Sequence, residues 1–458
     1  MPTLRTIIGI PSLVTMATSI VALLGAHSGR LAASPPEPDI VVTTAAELQS
    51  ALSPANAGAH ILVRAGVYDV SQALTVPDGA DLIGEGVMIF DQSGLPTGFD
   101  PIGRTLLKAT AALAGDVLTL GDGATIRGLA IQDVVGRVTG GAVAVLSRAP
   151  GDFISARIEE CEIITPSLVV GTTGRGLVVM TRNLDLEPPH EGAVLHVQMA
   201  RSIIRSPGAA NGIFAINFAS HSQITLDVES NVVGGLFSVA AGVGLPDAVT
   251  GASLIIQSSH NLYRSDSLVP TGTGWQLFAG ADAPPVTSVV SQASTFNTLQ
   301  MHSIDDTLAG FATGIVAAGG RRINALSGTI SSNRVELNLH GTRLQTTTAD
   351  LRLSGATTGL SVSTGDDNTA HVLLVHATGS GVRANRYAHS SIPLPGSPGI
   401  GNRLEIFGNA NAFDQTNDNF VPPPPAEFFT AGIEHNRPAH MRHAPVKLDG
   451  LQRVPFAK

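Results

Sequence analysis

A chain of 458 residues with 50 glycines, 4% aromatic and 14% charged residues is turn-rich with a small-residue interior. At that length a globular chain would divide into roughly two or three domains, whereas a solenoid grows along one axis and stays single. A formal net charge of -9 with only three lysines excludes a nucleic-acid surface, because phosphate contacts need a basic patch.

Arg5 precedes the apolar run TIIGIPSLVTMATSIVALLGA, which gives way to small residues through LAAS. A charged start, an apolar middle and a small-residue exit are the parts of a secretory signal, so residues 1–33 read as a signal peptide cleaved near Ala33. The run also approaches the ~20 residues of a bilayer span, and an uncleaved anchor is the competing reading. Either way the body is exported, secreted or periplasmic, and the mature chain carries no membrane span of its own. Residues 34–57 hold the spacer SPPEP and then a helix. Thr44 followed by Glu47 makes a capping box, so AAELQSAL forms a short helix with Leu48 and Leu52 on one face, suited to cover the open end of a solenoid.

From residue 58 the text turns to strands: ILV, AGVYDV, LTV before the turn PDGA, then LIGEG. DVLTLGDGATIRGLAI gives two strands joined at Gly121-Asp122-Gly123, with Ile126, Leu129 and Ile131 inward. Cys161, the single cysteine, sits in the alternating run RIEECEII; it cannot make an internal disulfide and reads as a small buried hydrophobe. Between Gly192 and Arg264 the pattern repeats. Leu195 and Val197, Leu226 and Val228, and Leu254 and Ile256 alternate with polar residues, and corresponding positions recur about 28 to 31 residues apart, a solenoid spacing. Longer loops are expected from Ser265 to Arg322, and regular strands return in RVELNLHGTRL, LRLSGATTGLSV, HVLLVHATGSGV and NRLEIFGNANAF. About 11 to 13 coils at ~4.8 Å each predict a rod ~55 to 60 Å long. The alternation ends near residue 413, and residues 414–458, with prolines 422–425, read as a tail, with a polar C-terminal cap made by part of it as the alternative.

Each repeat therefore holds two or three short strands, one coil of a parallel β-helix. Here the chain resembles the right-handed parallel β-helix (pectin-lyase-like) superfamily of pectate lyases and polygalacturonases. Arg64-Ala65-Gly66-Val67-Tyr68, after the capping helix, is similar to the turn by which many secreted β-helix proteins begin. The resemblance implies an all-β fold, a right-handed parallel β-helix solenoid over residues 58–413 with a short N-terminal capping helix. It implies no catalytic residue, because the polygalacturonase strings NTD, GHG and RIK and the pectate-lyase RxPxxR are absent.

Outward positions on neighbouring coils supply the candidate site. If Leu195, Val197, Leu226 and Val228 face in, then His196, Gln198, Asp227 and Glu229 face out, with Gln257 on the next coil. His196 with Asp227 is a candidate proton-transfer pair, and Asp227 with Glu229, ~6.6 Å apart at Cα, a candidate carboxyl pair for inverting glycoside hydrolysis. The same pattern is also that of any solvated strand face. Asp305-Asp306 and Asp366-Asp367 could bind calcium or serve as turn residues. His435, His440 and His443 include an H-x-x-H spacing in a stretch without periodicity. Asn231, Asn261, Asn333 and Asn402 follow strands at comparable points and read as one stacked ladder. One tryptophan, Trp275, and three tyrosines leave few aromatic platforms for sugars, though Trp275 fits either a platform or the core. No cofactor or metal is called for.

Two functions follow. One is a non-catalytic surface or periplasmic scaffold whose flat side binds a polysaccharide or cell-surface partner. The other is a polysaccharide-active enzyme, hydrolase or lyase, using His196, Asp227 and Glu229.

Overall fold

The computed structural model describes residues 37–408 apart from 112, 114, 134–139, 166–173, 183–187, 208–210, 245–248, 267–271, 281–292, 323–328, 359–364, 367–368, 380–385 and 389–402. The expected signal peptide, Asp367, Asn402 and the tail with His435, His440 and His443 lie outside the described residues. The chain divides into two compact units, Met1–Glu37 and Pro38–Lys458, and the second holds all the described secondary structure.

Among the described residues twelve strands stack in chain order into one sheet, every neighbour parallel. They are β1 (Ile40–Val42), β2 (His60–Val63), β3 (Asp81–Gly84), β4 (Ala124–Arg127), β5 (Phe153–Glu159), β6 (Val194–Ala200), β7 (Gln223–Glu229), β8 (Ser253–Ser259), β9 (Thr298–Ile304), β10 (Arg334–His340), β11 (Thr369–Val375) and β12 (Arg403–Gly408). At ~4.8 Å per rung this sheet is ~53 Å long. Two further strands in most coils pair in parallel with their counterparts above and below, completing the walls of a parallel β-helix. These two walls merge in the 16-residue strands Thr307–Arg322 and Arg343–Thr358, which run through both. The segment expected to carry longer loops leaves the register of this sheet unbroken, Ile256 on β8 pairing with Met301 on β9, while in the strand Thr307–Arg322 the register shifts between Ala309 and Phe311 and between Phe311 and Thr313.

The alternation of the sequence is the alternation of the wall. Ala156, Val197, Leu226, Ile256, Met301, Leu337 and Val372 form one in-register column, each 2% exposed or less. Each such Leu or Ile contributes about 1.5–3 kcal/mol of burial, which is why the period of two is kept from coil to coil. Helix α1 (Ala45–Ala51) starts at the Thr44 capping box and buries Leu48 and Leu52 in the same core as Val42 and Ile61. No helix among the described residues is long and apolar enough to cross a membrane. Cys161 is fully buried, and burial pushes its thiol up to about 12, leaving it inert.

The corner that leaves this sheet is built the same way in successive coils. Glu160, Arg201, Ser230, His260, Asp305 and His376 have φ between 48° and 56°, with Gly341 at 65°, and this left-handed residue turns the next one inward. There the polar residues stack: Cys161 N–H donates to Ser202 Oγ (3.0 Å), Ser202 N–H to Asn231 Oδ1, Asn231 N–H to Asn261 Oδ1 and Asn261 N–H to Asp306 Oδ1 (2.8 Å each). The single ladder expected of Asn231, Asn261, Asn333 and Asn402 is thus two. Asn333 belongs to the corner entering the sheet, where Ala252 N–H donates to Asn297 Oδ1 and Asn297 N–H to Asn333 Oδ1, both at 3.0 Å. Asp306 is likewise no exposed turn acid or calcium ligand; it is fully buried as the ladder's next rung, also accepting from Ser303 Oγ at 2.6 Å.

Burial holds the Asp306 carboxyl above its ordinary 3.8, outweighing the hydrogen bonds that favour its anion. The folded state then binds the proton more tightly than the unfolded one, so a penalty appears as pH rises from about the unfolded value and is full above the folded one. Asp306→Asn keeps the Oδ1 acceptor and should raise the melting temperature at pH 7, an advantage that shrinks to nothing below about pH 3.8. Melting curves of both proteins across pH check this; a pH-independent gain would mean the carboxyl is not the cause.

Candidate functional site

The outer face of β5 to β10 carries a polar column, Arg157, Gln198, Asp227, Gln257, His302 and Asn338, fixed by the pairing of the inner one. Leu195, Val197, Leu226 and Val228 are buried, and His196, Gln198, Asp227 and Gln257 are half-buried on the outer face, with Glu229 exposed at the end of β7. His196, Gln198, Asp227, Glu229, Gln257 and His302 line one groove of about 410 Å3.

His196 does not stand opposite Asp227. It pairs with Thr225, and Asp227 pairs with Gln198, so imidazole and carboxylate meet diagonally across the rung with Nε2 2.7 Å from Oδ2. Such a diagonal is within reach of a ring-sized side chain. The hydrogen bond to Asp227 raises the His196 pKa above 6.5, against the opposing effect of partial burial, and the nearby negative charge adds to the rise. A raised histidine stabilises fully below its unfolded pKa and loses that contribution as pH rises through the folded value. With both side chains 34% exposed, the pair is worth about 1 kcal/mol or less. Asp227 Oδ1, by contrast, is buried without a hydrogen-bond partner.

The stripe continues beyond the residues expected from the sequence. Gln257 pairs with His302, whose Nδ1 accepts from Asn338 Nδ2 at 3.0 Å, and burial lowers the His302 pKa, so that imidazole is neutral and presents Nε2–H. Gln300 Nε2 donates to Glu336 Oε2 (3.3 Å), and Glu336 lies 3.6 Å from Arg334 and 3.8 Å from His371. The signal was present: TLQMHSI and RVELNLH alternate in phase with VLHVQMA, so counting the same outward positions on β9 and β10 finds these residues.

Chemically, the His196 imidazole, whose proton affinity Asp227 raises, shares its contact with that carboxylate, and Glu229 lies two residues further along the same face of β7. Trp275 provides no sugar platform, because it is fully buried with its ring edge-on to Tyr263, centroids 5.2 Å apart. Asp305 is an exposed corner residue 3.7 Å from His260, and Asp366 closes the short strand Gly365–Asp366. Comparison of the chain with family models, curated proteins and solved structures found no match.

Proposed function

We propose that this is an exported, non-catalytic parallel β-helix, of the pectin-lyase-like kind, whose outer groove binds an extended polysaccharide as a surface or periplasmic scaffold. The observation that carries the reading is the in-register polar stripe from β6 to β9, which offers donors and acceptors at ~4.8 Å intervals along a groove of about 410 Å3. An extended polymer can satisfy such a repeat without any one residue being essential. The groove's central imidazole is already committed to Asp227, which suits binding better than proton abstraction. The signal-like residues 1–33 support export, and the tail at 414–458 is read as a separate, non-solenoid segment.

The second reading, a glycoside hydrolase or polysaccharide lyase, draws on the 2.7 Å contact of His196 with Asp227 and on Glu229 two residues along the same face. A glycan array combined with a polysaccharide-degradation screen separates the two. The scaffold reading expects a bound polymer that is recovered intact, with Asp227→Asn and Glu229→Gln folding as the wild type does. If the wild type cleaves a polymer and either variant loses about 10²–10⁴-fold in rate, the enzyme reading replaces it. Binding to no glycan at all would overturn the polysaccharide assignment.

A further inference from the structure

On the polysaccharide-binding reading of the groove, on which this rests, we propose that the ligand is an amino-sugar polymer and that Glu229 recognises its protonated amines. Among the described residues the cations that line the groove are already matched. Arg157 is paired with Glu159 on its own strand, and His196 with Asp227 on the next coil (2.7 Å). His302, whose pKa burial lowers, adds no charge at neutral pH. At the corner just past the strand ends, Glu160 lies between Arg127 and Arg201, 2.9 Å from each.

Glu229 stands apart from these pairs. It is exposed at the end of β7, makes no ion pair among the described residues, and has Ala200 on β6 and Ser259 on β8 as its partners in register. A methyl group on one side and a hydroxyl on the other leave its carboxylate facing the groove without a counter-charge. Such a group repels a polyuronate or a sulfated chain and attracts an ammonium. The rest of the lining suits the uncharged parts of a sugar. Gln198 and Gln257 offer amide donors and acceptors to hydroxyls. Ile304, in the same column as Glu229 and Ser259 and 43% exposed, offers an apolar contact to a ring face. Two rungs separate the carboxylate from this isoleucine, roughly 10 Å, so one extended chain meets both with different units. Exposed ion pairs are weak, and the discrimination expected of a single carboxylate is about twofold to fivefold. Salt should screen it.

The test is calorimetric titration of the full chain with oligomers of glucosamine, with the same oligomers fully N-acetylated, and with galacturonate oligomers of equal length, all in mildly acidic buffer of low ionic strength. The amine form should bind wild type about twofold to fivefold tighter than the acetamide form, and the uronate should bind weakest. High salt should erase the difference between amine and acetamide. Glu229→Gln should bind those two forms alike, and a melting temperature equal to that of wild type separates lost selectivity from lost folding. Glu229→Asp, which keeps the charge, should retain part of the preference. Equal affinity of wild type for amine and acetamide, a preference for the uronate, or an amine preference that survives in Glu229→Gln would each overturn the assignment while leaving a glycan-binding groove in place. Were none of the three to bind, the amino-sugar assignment would fall, and the polysaccharide reading would fall with it only if the glycan array were blank as well.

Discussion

Leu226→Asp is expected to unfold the solenoid under conditions where Gln257→Ala leaves it intact. Leu226 lies at the centre of β7, 1% exposed, with Val197 and Ile256 as its partners above and below. The substitution removes about 1.5–3 kcal/mol of burial and leaves a carboxylate among aliphatic side chains with no cation or donor in reach. The total should exceed about 4 kcal/mol, the range reserved for unpaired buried charges. Gln257 follows Leu226's partner Ile256 on β8 and faces the other way, half-buried in the groove, and its loss should stay within about 0.5 kcal/mol. Urea denaturation followed by circular dichroism measures both. Similar midpoints for the two would mean that the strand faces are exchanged, because a one-residue slip swaps them.

Asn261→Ala should cost about 3 kcal/mol although it removes only an amide. That side chain accepts from Asn231 N–H (2.8 Å) and donates to Val228 O (2.9 Å), Ser258 Oγ (3.0 Å) and Asp306 Oδ1 (3.0 Å), all in the interior. Without it the Asn231 N–H is left buried and unpaired, and each such group costs about 1–3 kcal/mol. Asn261→Asp, which preserves volume, should be worse than alanine at neutral pH: two donors vanish and a carboxylate oxygen is set against Asp306 Oδ1. If the aspartate substitution were the milder of the two, packing and not hydrogen bonding would be what the ladder supplies.

The walls were legible in the sequence because they obey a local rule. Leu195, Val197, Leu226, Val228, Leu254 and Ile256 alternate with polar neighbours, and burial of one face is enough to decide their direction. Thr44 and Glu47 were legible for the same reason, a cap being settled within three residues. What depends on the partner coil was not. No spacing tells that His196 reaches Asp227 diagonally and not straight across, since that follows from a register set by inner residues on both strands. Asn261 and Asn333 look alike in the text yet serve opposite corners. Asp305-Asp306 read as a pair of like residues, whereas one left-handed φ sends the first to solvent and the second into the core. The offset was available: Arg201-Ser202, Ser230-Asn231, His260-Asn261 and Asp305-Asp306 all follow the last strand residue directly.

That constant offset has a bearing on how such a chain can change length. From β5 to β11, two residues always separate the end of the main strand from the start of the next: Glu160 and Cys161, Ser230 and Asn231, His376 and Ala377. The distance from one main strand to the next is far from constant, 29 residues from Val194 to Gln223 but 45 from Ser253 to Thr298. All the drift is therefore confined to the other two corners, and the invariant one restores the phase of the wall on every turn. An insertion in one coil bulges out locally and is not passed on as an error to the next, so the rod behaves like a ruler whose marks are printed afresh at each division.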